Sequence, residues 1–347
     1  MSVVALSALL LLAAPSRAAS TPSAKDKRAL SAAIRLYHRL ELQQAAKRFD
    51  EELDAVAGWK TAAGFRASCR WTLGDNVGAI EDAKTASKLK PNDALSYAAR
   101  GKAQLVLKNY DEALEDFRLA GENDPRSIEG PLGEGSTLSA QGKNREALMA
   151  LNRAVKLDPG SAAALLMRGS VKDRLRDFHG ACDDYGSLLE INQDFVWARL
   201  YRGKALRELK DYRGAEADFT IFLETNENEN AHYLRSNVRF LLGDYQGASA
   251  DLGKVIALNP RNGLAYSNRG QTRALLGDKD GAASDLRKAL ELDPQRREKI
   301  QAAIDALDAK AQIESETVPT QSVSSPRPAP ARAKKSGAED DLLFIEK

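Results

Sequence analysis

The chain has 347 residues, 51 of them Lys or Arg and 49 Asp or Glu, which leaves a net charge of only +2. So even a balance argues against the clustered basic face of a nucleic-acid-binding protein. Aromatic residues make up 6% while alanine is plentiful, as suits closely packed helices in a soluble, all-helical chain.

Val3 to Leu12 is an apolar run too short to span a bilayer. Ser16 and Ala18 then stand at the minus-three and minus-one places of a cleavage site after Ala18. Residues 1–18 are therefore expected to be a cleaved signal peptide, with a retained anchor or an organellar presequence as the alternative. The implied localisation is the secretory pathway: the endoplasmic reticulum lumen, the exterior, or the periplasm of a bacterium. No other segment is long and apolar enough to cross a membrane, so no membrane span is expected after signal removal. Residues 19–25 read as a short polar linker.

From Asp26 onward alanine recurs at nearly constant spacing: Ala45, Ala79, Ala113, Ala147, Ala181, Ala215, Ala248 and Ala282. A second small residue precedes each of them: Ala33, Ala67, Gly101, Gly135, Gly169, Gly203, Ser236 and Gly270. Glycine within a helix costs about 1 kcal/mol against alanine, so its recurrence implies helices that approach closely. The repeats predicted are 26–59, 60–93, 94–127, 128–161, 162–195, 196–228 (one residue short), 229–262 and 263–296. Gly74-Asp75, Gly243-Asp244 and Gly277-Asp278 are expected to end one helix and start the next. Asp158-Pro159, Asn259-Pro260 and Asp293-Pro294 close the second helix, because the residue before proline resists helical angles.

In the clearest unit, Tyr97, Gly101, Ala113, Phe117, Ala120 and Pro125 hold the aromatic, small, small, aromatic, small and breaker places of a 34-residue motif. On these residues the chain resembles the tetratricopeptide repeat (TPR) family. The resemblance implies an all-α, right-handed superhelix of about eight antiparallel helix pairs, and a non-enzymatic scaffold that binds a protein or peptide in its concave groove. Cys69 and Cys182 fall three repeats apart. With helices stacking at about 10 Å and a disulfide needing Cα atoms within about 7 Å, both are expected to be buried free thiols.

After Pro294 the repeat register stops. Ile300, Ile304, Leu307 and Ala311 form one apolar stripe, so 297–314 is expected to be a capping helix. Residues 315–347, rich in proline, serine and alanine, read as a disordered tail. Its end, Glu339 to Ile345, is an acidic–apolar patch that could dock elsewhere or simply fray.

Two families of positions stand out as candidate sites. Arg66, Arg100, Arg168, Arg202, Arg235 and Arg269 each share a unit with Asp82, Asp116, Asp184, Asp218, Asp251 and Asp285 respectively. If the helices fold back midway, each arginine meets its aspartate across the hairpin, where a planar guanidinium suits a bidentate carboxylate. A structural ion pair is the reading preferred over a ladder of anion-binding arginines. The units at 26–59 and 128–161 lack both members, with Ala32 and Arg48, and Glu134 and Ala150, in their places.

The family resemblance further implies that positions two, five, nine and twelve of each unit face the groove. These include Trp71, Leu132, Ser136, Leu166 and Ser170. In the C-terminal half they are Trp197, Leu200, Lys204, Arg207, Tyr233, Asn237, Phe240, Ser267 and Gln271. Aromatic, basic and amide groups together suit an extended peptide. Asn237 and Asn268 match the asparagines of the chaperone-tail clamp in related adaptors, but its basic places fall on Tyr233, Glu298 and Ala302, which disfavours that clamp. His38, His179 and His232 lie in different repeats, too scattered for a triad or a metal site. No catalytic residue, cofactor or metal is expected. Two other functions stay open: a substrate-holding co-chaperone of the endoplasmic reticulum lacking a J-domain, and a regulatory subunit of a larger enzyme complex.

Overall fold

The computed structural model describes residues 22–55 and 59–316. The expected signal peptide, the start of the linker and the tail after 316 lie outside the described residues.

Among the described residues the chain is helical without strands. Unit one, ending at Phe195, holds α1 (Ala24–His38), α2 (Leu42–Ala55), α3 (Lys60–Leu73), α4 (Asn76–Ala86), α5 (Ala94–Val106), α6 (Tyr110–Asn123), α7 (Glu129–Ala140), α8 (Asn144–Leu157), α9 (Ala162–Arg174) and α10 (Phe178–Ile191). Unit two, beginning at Val196, holds α11 (Trp197–Glu208), α12 (Tyr212–Thr225), α13 (Glu229–Leu242), α14 (Tyr245–Leu258), α15 (Gly263–Leu275), α16 (Lys279–Leu292) and α17 (Arg297–Glu316). Each odd-numbered helix up to α15 packs against its successor, giving the helix pairs of an all-α TPR superhelix.

The recurring small residues are notches. All eight recurring alanines, from Ala45 to Ala282, are fully buried. A methyl group added at Gly203 would lie 2.7 Å from the Phe219 ring, and one at Gly135 would lie 2.5 Å from Leu151. Where the second helix offers only Ala83 in place of such a large side chain, the first carries Ala67 and not glycine. The match is partial, because Ala33 and Ser236 share their units with Phe49 and Leu252 at the corresponding places.

Turns between paired helices need a left-handed residue. Gly74, Gly142, Gly243 and Gly277 supply it with φ between 77° and 87°, while Leu40, Lys108, Arg176 and Lys210 adopt φ near 60° without glycine. The aspartate that follows caps the next helix: Asp75, Asp177, Asp211, Asp244 and Asp278 each accept a backbone N–H three residues on, at 2.9–3.0 Å.

One junction in unit one departs from the others. Helix α4 has 11 residues where α6, α8 and α10 have 14. With less of α4 to lean on, α5 packs more extensively on α3 than on α4. Gly64 makes that possible, since a side chain there would sit 2.3 Å from the Ala99 carbonyl oxygen. The crossing draws the first helices of unit one together, and α1 reaches α9 four pairs further along.

In unit two, α17 closes the stack. Ile300 and Ile304 bury against Leu286 and Ala289, with Leu307 partly covered beside them.

Candidate interaction surfaces

The arginine–aspartate pairs form as hydrogen-bonded forks across each hairpin. Nε and Nη2 of Arg100 donate to Asp116 at 2.9 and 2.6 Å, and the equivalent atoms of Arg202 donate to Asp218 at 2.7 and 2.8 Å. Arg66–Asp82, Arg168–Asp184, Arg235–Asp251 and Arg269–Asp285 repeat the geometry within 2.9 Å. The aspartates are buried and the arginines half-buried, so the pairs do not offer a free anion-binding ladder.

Sequence reasoning missed a second cation on most of these aspartates. Four residues after the arginine, Arg70, Lys172, Arg239 and Arg273 reach Asp82, Asp184, Asp251 and Asp285 at 2.8–3.1 Å. In the unit that has leucine there, Arg199 approaches Asp218 at 3.4 Å. Nδ1 of His232 lies 3.1 Å from Asp251, so His232 belongs to this network as well as to the core. The signal was present as a cation one helical turn along the same face. In the unit at 128–161, one of the two lacking the pair, Glu134 meets Arg153 at 2.5 Å.

The thiols differ from each other. Cys69 is buried, donates to the Leu42 carbonyl at 3.1 Å, and is pushed up to about 12 by burial. Cys182 is only partly buried, contrary to expectation, because its place on the second helix faces outward.

The concave residues of unit two divide sharply. Leu200, Phe240 and Ser267 are 2%, 6% and 1% exposed, so they cannot be the groove contacts expected of them. Leu200 packs with Phe219 and Phe222, and Phe240 lies edge-on to Tyr245 with centroids 5.2 Å apart. Position alone does not decide this, since Tyr233 and Arg207 hold the same fifth and twelfth places and stay partly open; the packing of each hairpin on its neighbour does. Asn237 is buried too, so only part of its amide could ever meet a ligand. Trp197 is exposed but leans edge-on to Phe222 at 5.1 Å.

Lys204, Arg207, Tyr233 and Gln271 remain partly open. Arg207 pairs with Glu208 at 2.7 Å. The Tyr233 hydroxyl accepts from Nδ2 of Asn268 at 3.0 Å. Burial raises the Tyr233 phenol, against the opposing pull of the Asn237 and Asn268 amides and of the Arg296 and Arg207 charges. Beside it opens a depression of about 450 Å³ lined by Asn228, Glu229, Asn230, Tyr233, Asn262 and Leu264. The amide oxygens of Asn237, Asn268 and Gln271 and the Ser267 hydroxyl are buried without a hydrogen-bond partner among the described residues. Native proteins hold few such groups, and an amide oxygen left this way costs about 1–3 kcal/mol.

Unit one is different: its own first repeat covers the concave face around Lys102 and Glu129, while Trp71 stays exposed and Ser136, Leu166 and Ser170 partly open. Nε2 of His38 lies 2.8 Å from Glu129, and Nζ of Lys102 lies 3.0 Å from the same carboxylate. Lys102 and Glu129 are each 4% exposed. The ammonium also faces the rings of Tyr37 at 4.9 Å and Phe65 at 5.1 Å. Burial opposes ionisation of Glu129, but Lys102 and His38 overcome it and hold the carboxyl at about 2. Burial likewise opposes the Lys102 charge, and Glu129 outweighs it, raising the ammonium above its usual range. Lys102 and Glu129 occupy groove positions nine and two, but sequence spacing cannot show that His38, two repeats and more away, arrives to cover them. Leu132, another groove position, is 4% exposed here.

Residues 66–128, 132–194 and 233–297, more than half of the chain, match the tetratricopeptide repeat family model. Over 90 residues the chain is 34% identical to small glutamine-rich tetratricopeptide repeat-containing protein 2 of Saccharomyces cerevisiae, a match covering 26% of each protein. The chain therefore spans about a quarter of that relative's length. Its fold is similar to the Cut9–Hcn1 hetero-tetramer of the APC/C, with a TM-score of 0.59 at 15% identity over 80% of this chain and 55% of that one. It is also similar to YrrB, a TPR protein with an unusual peptide-binding site, with a TM-score of 0.50 at 20% identity over 58% of this chain and 99% of that one. Both structural likenesses are of fold alone. With the notched hairpins, the left-handed turns and the paired helices in view, the chain belongs to the tetratricopeptide repeat family.

Proposed function

We propose that the protein is a non-enzymatic interaction scaffold whose second unit captures an extended, acid-bearing peptide segment of a partner protein. The TPR fold supports protein–protein interaction in general. The observation that carries the finer reading is the pair of unpartnered amide oxygens at Asn237 and Gln271 near the partly open Tyr233. An extended peptide presents backbone N–H groups at regular intervals, and a small shift of these amides would let them accept. Lys204 and Arg207 on the neighbouring α11 supply positive charge for a carboxylate, and the depression at Tyr233 has room for a side chain. That a similar fold, YrrB, is described by its peptide-binding site fits this reading. On the strength of residues 1–18 we place the encounter in a secretory or periplasmic compartment.

The test is proximity labelling and pull-down from the native compartment, comparing wild type with a Lys204→Glu, Tyr233→Ala, Gln271→Ala variant. Loss of one stoichiometric protein from the variant is the expected result. Recovery of an unchanged set would overturn the groove assignment, and recovery of many unfolded clients would replace the scaffold with a substrate-holding chaperone.

A further inference from the structure

We propose that the concave face of unit one is a second interaction surface, held closed by the chain's own first repeat, and that it takes a helix ending in an aromatic–basic pair. The resident occupant shows the chemistry. The C-terminal end of α1 delivers three groups in succession: the Tyr37 ring to the Lys102 ammonium, the His38 imidazole to the Glu129 carboxylate, and the Arg39 carbonyl to Nδ2 of Asn192 at 2.8 Å. The receiving groups come from α5, α7 and the end of α10, from 65 to more than 150 residues along the chain.

The receiving helix is shaped for cover. Glu129, Gly130, Pro131, Leu132, Gly133, Gly135, Thr137 and Ser139 of α7 are buried, while Glu134, Ser136 and Leu138 are partly exposed. A helix buried on most sides needs neighbours there; α6, α8, α5 and α9 pack on it, and the α1 tip covers Glu129. The apolar groups of α1, by contrast, lie chiefly within its own hairpin: α1 packs mainly on α2 and only lightly on α3 and α9. The contacts that seat the tip are polar, and polar groups regain water on release, so parting costs less than opening an apolar seam. A ligand of the same pattern would therefore compete with α1, and its apparent affinity would be lowered by the fraction of time the face is closed. This surface is separate from the groove of unit two, and either assignment can fail without the other.

A fluorescent peptide reproducing residues 28–41 serves as the probe, titrated against the full chain. The Tyr37→Ala, His38→Ala variant, which empties the face, is expected to bind it about tenfold or more tightly than wild type, since closure no longer competes. Adding Glu129→Gln to that variant should abolish binding, and a peptide with alanine at the Tyr37 and His38 places should not bind. Hydrogen exchange in α1 of the emptied variant should rise while α13 to α16 stay protected. Should the double variant fail to fold, Asn192→Ala loosens the same tip by one hydrogen bond and should show the same direction of change. Equal peptide affinity for wild type and the emptied variant would overturn the proposal, as would α1 exchanging only together with the rest of unit one. Wild-type dimers joined through exchanged first repeats would also overturn it, in favour of a second copy as occupant.

Discussion

Asp116 shows how single residues carry this fold. It is 2% exposed and its carboxylate is held by the Arg100 fork, which is itself 28% exposed at the side chain. The acid is thus the buried member, and removing the arginine strands it. Arg100→Ala should destabilise unit one by about 3–5 kcal/mol. Arg100→Ala with Asp116→Ala should cost less, because no charge is left without a counterpart. Urea denaturation of the three proteins checks this, and a double variant as unstable as the single one would show that the pair itself is strongly stabilising.

Glu129 gives the corresponding prediction in pH. Its folded carboxyl titrates at about 2, below the ordinary 4.5. The unfolded chain therefore binds the proton first, so the stabilisation is fully present above about 4.5 and is lost as pH falls toward 2. The stability gap between wild type and Glu129→Gln should be widest near neutrality, where Lys102 would otherwise lie buried without a counter-charge, and should shrink below pH 4.5. A gap that stays constant from pH 7 to pH 3 would show that the carboxylate charge contributes nothing.

Elements are set by notches and turns, and the turns leave room for improvement. Lys108, Arg176 and Lys210 hold left-handed angles near 63°, where Gly74, Gly142, Gly243 and Gly277 do the same work in other repeats. An L-residue with a Cβ is disfavoured there by about 1–2 kcal/mol, part of which glycine returns as unfolded-state entropy. Each change to glycine should raise stability by about 0.5–1 kcal/mol, read as a rise in melting temperature. Lys108→Ala should give no such gain. The helix-ending Gly-Asp steps were legible in the sequence, as was the arginine–aspartate pairing, because both rest on contacts within one hairpin. Leu200, Phe240 and Ser267 were misjudged because a groove position and a packing position share the same spacing, and only the pitch between neighbouring pairs separates them.

At the scale of the molecule, the closed face of unit one depends on how tightly α3 crosses α5. A methyl group at Gly64 would meet the Ala99 carbonyl at 2.3 Å and its Cα at 2.9 Å. Both are backbone atoms, so the helices themselves must separate. Gly64→Ala should therefore destabilise unit one by about 1–3 kcal/mol and speed hydrogen exchange in α1, which lies far from the substitution in sequence. Unchanged exchange in α1 would disconnect the crossing from the closure.

The sequence by itself determined the helices, their pairing, the buried notches and the ion pairs inside each hairpin, since those follow from residue type at a repeating interval. It could not determine which concave face is open. That rests on the angle between successive pairs, which a short α4 and one glycine alter at a single junction. Small rotations add along a stack, so His38 comes to cover Glu129 although nothing in their spacing announces it. In unit two, by contrast, Tyr233 lines an open depression.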